Sequence, residues 1–293
     1  MPTSSLVHLT DRSLIRVSGE EAQHFLQNLV TADIEDVDRI GAGSSALLTP
    51  QGKIQFDFLI YKDGDDYLLD TPKESAADLL KRLTFYRLRA KVGLDLLGEG
   101  IGVFAGFSED VSSVEGALIN VEDPRLAAMG RRIVGPTSEF PEGTAPLEGY
   151  ETHRIALGVP EGLKDYAYSD VFLHDADLDQ LNGVSFQKGC YVGQEVVSRV
   201  QHRGTARKRF VLIESDTALP PKGTSLHVND KSVGQIGSST SIDGHFKGLA
   251  LLRLDKVHQA IDNGNPISCG DATVSVTLPE WAEFSWPETS AAD

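Results

Sequence analysis

Cys190 and Cys269 are the only cysteines in a chain of 293 residues. Two distant thiols build no disulfide framework, which excludes the small disulfide-stapled secreted class and fits a reducing cytoplasm. No apolar run approaches the roughly 18 residues of a membrane span, so no membrane partner is expected. The opening Met1-Pro2-Thr3-Ser4-Ser5-Leu6 lacks a basic segment followed by an apolar stretch, which argues against a secretory leader. There is no P-loop, no Cys-x-x-Cys, no nucleophile elbow and no His pair at zinc-protease spacing. Asp175, Asp177 and Asp179 begin like a calcium loop, but Gln180 stands where Gly is needed and Phe186 where Glu is needed. No metal site follows from the sequence. A net charge of −16 opposes binding to nucleic acid or anionic membranes.

What is present is an ordinary globular balance, 40% hydrophobic and 24% charged, enough for about two domains with a substantial core. The positive charge is concentrated in two islands. Lys81, Arg82, Arg87, Arg89 and Lys91 fall in a stretch without an acid. Lys188, Arg199, Arg203, Arg207, Lys208 and Arg209 face only Glu195. Such islands fit either a local anion site or solvated faces.

The first half alternates strands and helices. Ser18 and Glu21 form a capping box ahead of a helix carrying Ala22, Phe25, Leu26, Leu29 and Val30. Asp33 to Asp38 reads as an acidic connector. Lys53 to Tyr61 alternates cleanly, with Ile54, Phe56, Phe58 and Ile60 on one face and Gln55, Asp57, Leu59 and Tyr61 on the other. A second capping box, Thr71-Pro72-Lys73-Glu74, opens a helix bearing Leu79, Leu80 and Leu83, and Tyr86 to Leu96 then reads as strand. Pro136 to Pro146 is loop. From about Arg209 short strands separated by turns predict a small all-β barrel, ending in an acidic tail whose last residues fray. The expected class is α+β, with an N-terminal portion over 1–208 and the barrel over 209–285. The former divides into about 1–45 plus 147–208, and 46–146. Gly41-Ala42-Gly43-Ser44-Ser45-Ala46 matches a dinucleotide fingerprint in letters only, since it neither follows a clear strand nor opens a helix.

The most informative run is Ser185-Phe186-Gln187-Lys188-Gly189-Cys190-Tyr191-Val192-Gly193-Gln194-Glu195. It presents one thiol between a Lys-Gly turn and a helix expected from about Val192 to His202, with Val192, Val196, Val197 and Val200 inward. A helix start and a nearby cation both favour thiolate, and Lys188 supplies the cation. Gly193 in a first helical turn would cost about 1 kcal/mol against Ala. A small buried hydrophobe is the alternative for any single cysteine. Asp57, on the mixed face of its strand, either projects into a polar cavity or faces solvent.

Lys188 to Glu195 resembles the K-G-C-Y-x-G-Q-E signature of the YgfZ/GcvT-like folate-binding protein family, in its iron–sulfur cluster maintenance branch. Arg203-Gly204 and Lys208-Arg209 fit the same pattern. Leu14 to Thr31, Gly52-Lys53 with its strand, Tyr86 to Lys91, Val233-Gly234 and Gly248-Leu249-Ala250 resemble further family segments. The resemblance implies a GcvT-like three-part cloverleaf around a central channel that binds tetrahydrofolate or another folate, closed by a C-terminal barrel. Arg87, Arg89, Arg154, Lys188, Tyr191, Gln194, Glu195 and Arg203 become the candidate folate contacts, and Cys190 and Asp57 the reactive residues. Two departures weaken aminomethyl transfer. Only Asp57 remains of the adjacent aspartates of glycine-cleavage aminomethyltransferases. In Arg154-Ile155-Ala156-Leu157-Gly158, Ala156 replaces the Glu that grips the pterin.

The expectation is therefore a cytoplasmic, tetrahydrofolate-binding accessory protein for iron–sulfur cluster synthesis or repair, with Cys190 as its working thiol. Its partners would be folate and iron–sulfur client or assembly proteins. A tetrahydrofolate-dependent one-carbon (aminomethyl or methyl) transferase or demethylase using Asp57, and an interaction module without a small-molecule site, remain the alternatives.

Overall fold

A computed structural model describes residues 6–107, 114–140, 145–204 and 206–287. The chain forms two compact units, Met1–Tyr150 with Leu181–Val196, and Glu151–Gln180 with Val197–Asp293.

The first unit holds two antiparallel sheets. Strands β1 (Leu6–His8) and β2 (Arg12–Ser18) lead into the short helices α1 (Ala22–Gln27) and α2 (Ile34–Ile40). Then come β3 (Ala42–Leu48), β4 (Ile54–Asp63), β5 (Asp66–Pro72), helix α3 (Ala76–Arg87) and β6 (Gly93–Leu96). β7 (Ile101–Gly106), β8 (Ile119–Glu122) and β9 (Arg131–Pro136) complete the unit's strands. One sheet runs β3-β4-β5-β2-β6 and the other β1-β7-β9-β8. β4 lies inside its sheet, between β3 and β5, which covers its apolar residues. Ile54, Phe56, Phe58 and Ile60 are buried as the alternation predicts, and so are Leu59 and Tyr61 from the opposite face.

Four local expectations are corrected. Ser18 and Glu21 make no capping box, since Glu21 flanks α1 without a side-chain cap and instead accepts the Lys91 backbone N–H at 2.6 Å. The acidic connector is α2, which Asp33 starts by accepting the Glu35 N–H at 3.1 Å and Gly41 ends at φ 95°. Pro72 closes β5, and a 3-10 turn over Lys73–Ser75 precedes α3 with no side-chain cap. Tyr86 and Arg87 belong to α3 rather than to a strand, and pairing resumes only at Gly93.

In the second unit a closed barrel has the order β10-β13-β12-β11-β14-β15. Its strands are β10 (Lys208–Ser215), β11 (Ser225–Val228), β12 (Lys231–Ile242), β13 (His245–Arg253), β14 (Ile267–Cys269) and β15 (Ala272–Thr277). Closure removes the exposed strand edges that a small open sheet would leave. Val211, Ile213, Leu226, Ile236 and Leu252 fill the interior, and α6 (Leu254–Asp262) buries Leu254, Val257 and Ala260 on its inner stripe. The sequence reading assigned no element to α6 or β14, because three inward residues and a three-residue strand are too short a signal between strands. Helices α4 (Leu147–Ala156) and α5 (Gln194–Arg203) carry the boundaries between the units. The middle of the Pro136–Pro146 loop and the end of the acidic tail lie outside the described residues.

Candidate functional site

The cysteine run is fixed from both ends onto the β3–β4 sheet. Upstream, fully buried Thr31 donates its hydroxyl to the Gly183 carbonyl at 2.6 Å and accepts the Ala46 N–H at 2.8 Å. The Thr31 carbonyl accepts the Ser185 N–H at 2.9 Å, and the Ser185 hydroxyl accepts the Lys188 N–H at 3.2 Å. Lys188 then reaches inward. Its Nζ donates to the Val30 carbonyl at 2.8 Å and to the Ala32 carbonyl at 2.6 Å.

Downstream, two glycines let two turns touch. Thr49 to Lys53 is a tight turn in which Gly52 N–H donates to the Thr49 carbonyl at 2.8 Å. Gly52 and Gly193 take φ 80° and 83°, the left-handed region that glycine enters without steric cost. A Cβ on Gly193 would stand 2.6 Å from the Thr49 carbonyl oxygen, and one on Gly52 would stand 2.8 Å from Val196 Cβ. Gly193 therefore lies outside α5, which starts at Gln194, and answers to close approach rather than to helix propensity. Tyr191 is buried beside it, its ring centroid 5.5 Å from Lys188 Nζ, and burial raises its hydroxyl to about 12.

Between these anchors Cys190 is exposed. The small-hydrophobe alternative fails for Cys190 and fits Cys269, which is buried in the barrel core with its thiol pushed up by burial. Lys188 has a structural engagement that the sequence did not show. Its ammonium is committed to two main-chain carbonyls, so it holds the loop down. Burial lowers its pKa to about 8, with Asp33 opposing.

That shift has a testable sign. A depressed lysine pKa means the unfolded chain binds the extra proton between about 8 and the ordinary value of about 10.4, so this group's contribution to stability rises with pH across that window. The 15N resonance of Lys188 Nζ is expected to titrate near pH 8, and a midpoint above 10 would refute the assignment.

The other predicted contacts are scattered. Arg154 is fully buried, its guanidinium donating to Asp165 and to the Val159 carbonyl at 2.6 and 2.7 Å and to Glu151 at 2.9 Å. It braces the second unit internally. Arg87 is half-buried at the end of α3, with a 3.4 Å bond to the Val92 carbonyl, and Arg89 is exposed in the turn beyond it. Arg203 is exposed in the second unit. Gln194 and Glu195 open α5, the former half-buried and the latter exposed. Among the α5 valines only Val197 is buried. Asp57 is half-buried on β4 opposite Ala46 in register. Asp177 and Asp179 act as an ion pair with Arg209, at 3.2 and 2.5 Å, which accounts for the calcium-like spacing. Sequence reasoning missed Thr49 and the anchoring roles of Thr31 and Gly52, which it had named only within segments resembling the family.

The architecture is that of a glycine-cleavage aminomethyltransferase. The crystal structure of aminomethyltransferase T from Bartonella henselae matches with a TM-score of 0.71, over 95% of this chain and 86% of that one, at 16% identity, which establishes the fold alone. A family model for the CAF17 C-terminal β-barrel domain matches residues 207–284. Among relatives by sequence, the mitochondrial iron–sulfur cluster assembly factor IBA57 homolog of Pyricularia oryzae is 33% identical over 294 residues, covering 90% of this chain and 75% of that protein. Mouse IBA57 is 31% identical over 310 residues, covering 95% and 84%. The chain belongs to the IBA57 iron–sulfur cluster assembly factor family. It spans 53% of the Neurospora crassa relative, to which it is 32% identical.

The octapeptide resemblance named the broader group and left this branch unspecified. One expectation is overturned: the relatives are named as mitochondrial proteins, against the cytoplasmic assignment. Two unpaired cysteines argue against an oxidising compartment but do not separate one reducing compartment from another.

Proposed function

We propose that this chain supports iron–sulfur cluster assembly, with Cys190 as the thiol that meets cluster or client. One observation carries the reading: the exposed thiol sits on a loop pinned on both sides, by Lys188 on two carbonyls and by Gly193 on the Thr49 turn. Rigid presentation of a nucleophile or ligand is what a docking thiol requires. Cys269 is buried, so a single chain offers one accessible thiol, whereas a stable cluster takes about four ligands. Cluster iron is therefore substrate here, touched in passing or shared with a partner that supplies the remaining ligands. Cys190→Ala is expected to leave the fold intact and to lower iron–sulfur enzyme activity in a host relying on this chain.

Tetrahydrofolate is proposed as a second ligand. With Arg154 and Lys188 engaged internally, Arg87 and Arg89 are the candidate cations left in the first unit for an anionic glutamyl tail. Calorimetry with tetrahydrofolate is expected to give saturable heat that Arg87→Ala/Arg89→Ala weakens. Absence of heat at high ligand concentration would remove folate from the account. The transferase alternative draws on the aminomethyltransferase fold and on Asp57. It requires turnover of a methylated amine with tetrahydrofolate that Asp57→Asn abolishes.

A further inference from the structure

The segment that ends in Cys190 also walls a cleft. In the first unit α2, the start of β3, β8 and residues 182–187 enclose ≈ 860 Å³. Its charged lining is one-sided: Asp33, Asp36, Glu122 and Asp123 against Arg131. Asp123 is already neutralised from behind by Arg125 at 2.8 Å and Arg132 at 3.0 Å. The Arg131 guanidinium is turned onto Asn120, its Nη2 donating to the Asn120 carbonyl at 2.7 Å. Arg131 keeps its charge and stands opposite Glu122 in register, but Asp33, Asp36 and Glu122 outnumber it, so the lining is net negative. Among the described residues Asp36 pairs with exposed Arg39, a surface contact that screens little of its charge.

The same lining carries two large apolar side chains in water, Ile40 at 62% and Phe186 at 42% exposure. Exposed apolar groups rimmed by charge mark surfaces that a partner covers. An anionic ligand such as folate is disfavoured by the carboxylates.

We propose that this cleft docks a basic, amphipathic segment of a partner protein, its Lys or Arg side chains meeting Asp33, Asp36 and Glu122 and an apolar anchor covering Ile40 and Phe186. The inference rests on the assembly reading for the partner's biological role. Phe186 and Gln187 lead directly into Lys188-Gly189-Cys190, so a docked segment lies beside the loop that presents the thiol.

The test is titration of the intact chain with a short synthetic peptide alternating lysine and leucine, and with its glutamate counterpart. The lysine peptide is expected to bind with salt-dependent affinity and to protect Ile40 and Phe186 from solvent. Asp36→Lys/Glu122→Lys is expected to weaken it about tenfold or more, and Ile40→Ser to weaken it without removing the salt dependence. Asp271→Lys/Glu280→Lys, on the exposed surface of the second unit, serves as control and leaves binding unchanged. Equal binding of the glutamate peptide, no binding of the lysine peptide, or equal loss in the control variant would each overturn the proposal. Cys190→Ala separates the two ideas, since it should bind peptide normally. If it also leaves iron–sulfur enzymes fully active, the assembly reading fails while docking stands.

Discussion

Arg132→Met is expected to destabilise the chain by about 2–3 kcal/mol, the cost of removing one cation from a buried network in which Asp123 keeps Arg125 and Asp70 keeps Arg12. Arg132 is 1% exposed on β9, and Asp70 and Tyr61, both fully buried, come from the other sheet of the first unit. Arg132 Nε donates to Asp123 at 3.0 Å, and its Nη2 donates to the Tyr150 hydroxyl. Asp70 takes Arg12 Nε at 2.6 Å and the Tyr61 hydroxyl at 2.7 Å, with Arg132 Nη1 at 3.8 Å. Burial alone would raise the Asp123 carboxyl, but Arg125 and Arg132 hold it well below the usual range. The sign follows: its contribution is complete above the unfolded value of about 3.9 and is lost as pH falls below it. Urea denaturation should show the deficit at pH 7 and a smaller one in acid. A loss under about 1 kcal/mol at pH 7, the size of a surface pair, would contradict it.

Gly193→Ala is expected to cost about 2–5 kcal/mol, combining left-handed backbone strain of about 1–2 with overpacking of about 1–3. The intruding methyl meets backbone, the Thr49 carbonyl oxygen at 2.6 Å, and also Leu48 Cβ at 3.0 Å. Neither is a flexible tip that can step aside, so the Cys190 loop must shift. Gly189→Ala is the matched control, because a Cβ there meets nothing within 4 Å. Its stability should stay within about 0.5 kcal/mol of the parent. If thermal melts of the two variants coincide, the turn-on-turn contact does not hold the loop.

How far the sequence revealed this arrangement depended on whether the determining partner was near in the chain. The β4 alternation and five of the barrel strands were legible because period and turn residues are local. Asp33 to Asp38 was misread because its acids hide the inward Ile34 and Val37 that make it a helix. Glu21 looked like a capping residue because its real partner, the Lys91 N–H, lies 70 residues away. The structural role of Lys188 was hidden in the same manner. Beside Cys190 in sequence it reads as an activating cation, yet its acceptors are carbonyls 156 and 158 residues distant. The Arg132 network was invisible for this reason too, as no spacing rule joins β5, β9 and α4. Cys190 itself stood out through its motif, and only the fold distinguished it from Cys269.

The central claim is that the exposed thiol of the pinned loop, and not thiol content in general, serves cluster assembly. Its most direct test is iron–sulfur enzyme activity in a host carrying Cys190→Ala or Cys269→Ala, scaled to the amount of folded protein. The account predicts that Cys190→Ala melts like the parent and loses most of the activity, while Cys269→Ala lowers stability and retains activity per folded molecule. Full activity in Cys190→Ala at parental protein level would contradict it.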